Sequence, residues 1–111
     1  MNRIELSIKK DTFFGKLKKA AVIFKDKQTG EQHVIDITNV NFLSMKFMIQ
    51  SMSTYREHDE FTISRDLKSE HPDALIIQHS KARYKDYSHL VAYISKSSFL
   101  EMIDDLISVK K

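Results

Sequence analysis

Five histidines, eighteen Lys/Arg, four tyrosines and seven phenylalanines are the side chains with which this chain of 111 residues could do chemistry, and it has no cysteine. The missing thiols exclude disulfide frameworks, thiolate zinc sites, iron–sulfur clusters and cysteine nucleophiles. Two glycines, Gly15 and Gly30, are too few for a P-loop, a dinucleotide fingerprint or a nucleophile elbow. His79 and His89 flank a basic segment, so antiparallel pairing there could set two imidazoles across from one another. Such a pair, with a nearby cation, has the parts of a metal-independent ribonuclease: a base for the 2′-hydroxyl, an acid for the leaving 5′-oxygen and a charge to stabilise the phosphorane. Histidines near strand ends commonly have no such role, and no residue is assigned as catalytic. His58 with Asp59 and Glu60, and Glu70 and His71 with Asp73, offer nitrogen and oxygen donors. Their spacing matches neither a His-Glu-x-x-His site nor a calcium loop, so they read as solvated turns, and no metal or other cofactor is expected.

Two segments combine cations with rings. Residues 12–19 hold Phe13 and Phe14 beside Lys16, Lys18 and Lys19; residues 81–87 hold Lys81, Arg83 and Lys85 with Tyr84 and Tyr87. Both read as loops between strands. Cations neutralise phosphates and flat rings receive unstacked bases, so the pair suggests a contact with RNA or a single strand, provided the two loops meet on one side. Arg83 and Lys85 would then take phosphate, Tyr84 or Tyr87 would stack, and Lys16, Lys18 and Lys19 would extend the basic track. In the competing reading Phe13 and Phe14 are buried anchors and the lysines only keep a sheet edge soluble.

A third feature is apolar. Met45, Met48, Ile49, Met52 and Tyr55 recur at helical spacing within residues 41–56, with Asn39 or Asn41 as N-cap. Phe47 and Met48 are adjacent and cannot share a side, so this helix is apolar over more than half its circumference. Either it is buried twice, or Phe47, Met48 and Met52 dock a protein partner or a second copy. The acidic residues Glu57, Asp59, Glu60, Asp66, Glu70 and Asp73 could attract a basic partner, but they alternate with other polar residues as a solvated loop does.

The elements that must position these groups follow from periodicity. Ile4, Leu6 and Ile8 alternate with polar residues; residues 20–24 are an apolar run; Val34 and Ile35 continue after a turn at Gly30. After the first helix come strands around Phe61 and Ile63, residues 74–77 and residues 90–94. A closing helix carries Phe99, Met102, Ile103, Leu106 and Ile107, with Ser98 and Glu101 as a capping box. The order βββαβββα predicts an α+β fold, a mainly antiparallel sheet or a partly closed β-barrel covered by two helices, in a single domain of residues 1–111. The helices offer little to a major groove: Lys46 and Arg56 on the first, Asp104 and Asp105 on the second.

Charge follows the same division. Residues 1–30 carry eight Lys/Arg against three Asp/Glu, a net +5; residues 31–80 carry four against eight, −4; residues 81–111 carry six against four, +2. That asymmetry bears on partners rather than fold. The start of the sequence is alternating and charged, and no apolar run is long enough to span a bilayer, so a cytoplasmic protein without membrane contact is expected. No motif assigns a family. The cysteine-free chain, rich in Lys, Ile and Ser, resembles in composition, though in no motif, small accessory proteins of plasmids and phages of Gram-positive bacteria, some of which have RNA-binding barrel folds of the PUA type. The expectation is a small non-enzymatic nucleic-acid-binding module, with a protein-interaction module and a histidine-dependent ribonuclease as alternatives.

Overall fold

Alternating apolar residues put Leu6 and Ile8 of one strand opposite Phe24 and Val22 of the next, with Ile4 opposite Asp26 at the end of the pairing. The computed structural model describes residues 3–109. Strands β1 (Ile4–Phe13), β2 (Lys16–Asp26) and β3 (Gln32–Asp36) form an antiparallel meander followed by helix α1 (Phe42–Gln50). Strands β4 (Phe61–Arg65), β5 (Ala74–His79) and β6 (Val91–Ser95) form a second meander, followed by helix α2 (Lys96–Val109). The fold is α+β in the order read from the sequence. The sheets stay separate, in orders β1-β2-β3 and β4-β5-β6. A closed barrel of the PUA type is therefore not formed: β1 runs beside β6 without pairing to it.

Both sheets turn their apolar faces to one core. Ile4, Val22, Phe24 and Ile35 come from the first, Phe61, Ile63, Leu75 and Ile77 from the second, and α2 adds Phe99, Ile103 and Leu106 at i, i+4 and i+7. α2 lies across β1, β2 and β6 and packs on α1. Lys46 of α1 and Lys10 of β1 each reach it at 2.6 Å, on Asp104 and Asp105.

Three local expectations are corrected. The first helix ends at Gln50, not near Arg56. Asn41 caps its start, its side chain accepting from the Ser44 N–H at 3.0 Å, but at the other end Met52 turns left-handed at φ 60°. Ser53 N–H then bonds the Met48 carbonyl and Met52 N–H the Ile49 carbonyl, the paired bonds of a Schellman stop. Tyr55, apparently in helical phase, instead bridges Ile63 as an extra rung beside β4. The cap of α2 is Ser95 rather than Ser98, for Ser95 Oγ accepts from the Ser98 N–H at 3.2 Å. Residues 12–19 are not a loop but two strands with a turn of only Phe14 and Gly15.

Candidate nucleic-acid interface

The β1–β2 hairpin is longer than the sheet that carries it. β3 covers residues 21–25 of β2, and Ile37 N–H and Thr38 hold Ala20. Beyond that point residues 10–13 and 16–19 continue as two strands with no third. The register shifts between Asp11 and Thr12, leaving Lys18 as an extra residue that bends and twists the ribbon. Its turn has φ 51° at Phe14 and φ 75° at Gly15, both positive as a type I′ hairpin requires. Asparagine and glycine suit that first position. A phenylalanine there strains its backbone by about 1 kcal/mol and gains no burial in the core, since Phe14 is 90% exposed. Phe13, 63% exposed, meets it edge-on with ring centroids 4.4 Å apart. Lys16, Lys18 and Lys19 around the tip are exposed, and none has a carboxylate within ion-pair distance among the described residues. Residues 9–19 hold five lysines against one aspartate, a net +4.

The second basic segment is built differently. Two short 3-10 turns, Ser80–Arg83 and Lys85–Tyr87, follow β5. Ala82 packs toward the core while Lys81, Arg83, Tyr84, Lys85 and Tyr87 face solvent. Each tyrosine already has a cation: Lys81 Nζ lies 5.5 Å from the Tyr87 ring, and the Arg83 guanidinium 5.0 Å from the Tyr84 ring, donating to its hydroxyl at 3.1 Å. This segment sits against the far end of β2, where His89 Nε2 is 3.5 Å from Asp26. The 11 residues of β2 keep it roughly 30 Å from the hairpin tip. The two segments do not meet.

No family model, curated protein or solved structure matches this chain.

Below the second segment the histidines form a structural joint. His33 and His79 occupy core-facing positions in phase with Ile35 and Ile77, their rings 5.9 Å apart; Phe24 packs on His79, and Tyr87 on His33. His79 is 5% exposed and its Nδ1 accepts from the Lys81 N–H at 3.1 Å, so the proton of the neutral ring sits on Nε2. Burial, then the neighbouring His33 and Lys81, push its pKa below the ordinary value; Glu60 opposes them. His33 Nε2 is buried without a hydrogen bond, 3.4 Å from a Glu31 carboxylate oxygen. Beside this joint Asp26, fully buried, takes both Arg3 Nε and Nη2 at 2.8 to 3.1 Å. That guanidinium, helped by the Gln28 N–H, holds the Asp26 carboxyl far below the usual carboxylate range against the effect of burial. The close imidazole pair is thus His33 with His79, while His89 turns to Asp26.

Among the described residues no group of three or more His, Asp or Glu side chains is placed to hold a metal. His58 is engaged locally, its Nδ1 accepting from the Glu60 N–H and its Nε2 3.1 Å from the Asp36 carbonyl. On α1, Met48 packs on the core and Met52 is half-buried in the Schellman turn, whereas Phe47 is 70% exposed. Leu43, one turn earlier and 67% exposed, stands beside it. Sequence reasoning missed Leu43, and it left Phe13 and Phe14 open between rings presented on a loop and buried anchors, where the structure exposes both. The signal available for Phe14 was its place before Gly15, where a two-residue turn exposes both residues.

Proposed function

We propose that the protein is a small non-enzymatic, cytoplasmic module that binds nucleic acid through the end of the β1–β2 hairpin, with Lys16, Lys18 and Lys19 on phosphates and Phe13 and Phe14 against bases. The supporting observation is Phe14, a large ring held in a strained turn position and left in solvent, with Phe13 and a net +4 segment around it. The strain costs stability and the exposed ring contributes no burial to offset it, so a contact outside the chain is what would. The 81–87 segment is the weaker candidate, because its rings are covered by its own cations and it adds only Lys81, Arg83 and Lys85 against Asp86.

The test is fluorescence anisotropy with labelled single-stranded RNA, single-stranded DNA and duplex DNA at two salt concentrations. Replacing Lys16, Lys18 and Lys19 together by Ala is expected to weaken binding and to lower the slope of log K on log salt by about 2 to 3. Affinity unchanged by that substitution, or no binding at low salt, would remove the proposal. A second reading has one observation of its own: Leu43 and Phe47 form an apolar pair on the face of α1 opposite its buried side. In that reading α1 docks a second copy, and light scattering would find a dimer that Phe47→Glu disperses.

A further inference from the structure

The shape of the same hairpin says more than its charge. We infer that it acts on duplex DNA, the two-stranded arm lying in a groove and Phe14, backed by Phe13, entering a base step as a wedge. This rests on the nucleic-acid reading above and deepens it.

A surface that binds single strands offers rings on an open platform, and bases lie across it. The solvent face of the first sheet has no such platform. Next to the arm it presents Ser7 and Lys9 from β1, Ala21 and Ile23 from β2, and Val34 from β3. Below the arm its charges also balance, Glu5 opposite Lys25 and Lys9 and Asp36 on either side of Ala21. A strand laid there would find neither a ring nor a net charge.

The rings are instead at the tip of a narrow projection. Residues 10–13 and 16–19 make a ribbon about 13 Å long, held by Lys10 on Asp105 at its root and by Leu17, the second residue after the turn, against the core, so that the tip with Phe13 and Phe14 is what stands clear. A B-DNA groove about 12 Å wide accepts a two-stranded ribbon, while the major groove of an RNA duplex is too narrow to enter. Lys16, Lys18 and Lys19 on one strand and Lys9 at the root of the other are exposed and suit phosphates flanking a groove, while Lys10 is held by Asp105. Apolar side chains at such tips part neighbouring base pairs and bend the duplex, at a cost lowest where stacking is weak.

The experiment uses the full chain with a duplex of about 20 to 30 base pairs that has a central TA step, 2-aminopurine beside that step and a donor–acceptor pair on its ends. The single strand of the same sequence and vesicles of phosphatidylserine are run in parallel. Expected are binding to the duplex at least about tenfold tighter than to the single strand, a rise in 2-aminopurine emission and a shortened end-to-end distance. The double substitution Phe13→Ser with Phe14→Asn keeps a turn that prefers Asn-Gly, so it folds; it should abolish the emission change and the bend while retaining the salt dependence set by the lysines. Equal or tighter binding to the single strand, or an unbent duplex, overturns the wedge and leaves the nucleic-acid reading standing. Binding to neither nucleic acid, or to vesicles alone, overturns both.

Discussion

His79 shows how one residue can look like chemistry and act as structure. In sequence it borders a basic segment, as a general base would; in the fold its Nδ1 caps the turn at Ser80–Arg83 and its ring fills the joint between Phe24 and His33. The unfolded chain binds a proton near the ordinary value of 6.5, while the folded ring resists it because burial, His33 and Lys81 outweigh Glu60. Its contribution to stability is complete above 6.5 and is lost as pH falls from there toward the lower folded value. Protonation would also place a hydrogen on Nδ1 facing the Lys81 N–H, freeing the basic turn. The urea midpoint should therefore fall between about pH 7.5 and 5.5, by at most 1.4 kcal/mol per pH unit, and His79→Gln should flatten that fall. A wild-type midpoint constant over this range would contradict the assignment. Asp26 acts in the same direction at lower pH, since its carboxyl is held down by Arg3.

At the scale of elements, the alternation of Ile4, Leu6 and Ile8 and the spacing of Phe99, Ile103 and Leu106 were sufficient to place strands and helices in order, because burial on one side imposes a period. Where the reading failed, an apolar residue served a turn or a strand rather than the element its composition suggested. Phe13 and Phe14 resemble anchors in composition, yet β3 ends before it can cover them. Met52 and Tyr55 continue the helical spacing of Met45 and Met48, and neither Gly nor Asn marks the stop at residue 52. That absence has a measurable cost. Met52 has φ 60° and is not among the residues packed on the core, so Met52→Gly should stabilise the protein by about 0.5 to 1 kcal/mol. The check is a raised urea midpoint with an unchanged m-value; a lowered midpoint would show that the methionine packs more than it strains.

At the scale of the molecule, each sheet is made only of strands adjacent in sequence and is followed by a helix, and α2 lies across strands of both sheets. The halves are then held together by side chains: α1 on α2, β1 beside β6, Lys46 on Asp104 and His89 on Asp26. Basic and aromatic groups end up at both extremities of β2, which is why their closeness in composition did not become closeness in space. Between the halves, Ser53 and Thr54 are exposed and lie outside every element. A chain cut there keeps all six paired strands and both helices intact on their own sides of the break. Each fragment alone has its apolar face open to water; mixed, they bury it against each other. Two peptides divided between residues 53 and 54 should thus be poorly structured apart and regain the circular dichroism of the whole chain in equimolar mixture, making this small protein a candidate split reporter whose signal depends on what brings its halves together.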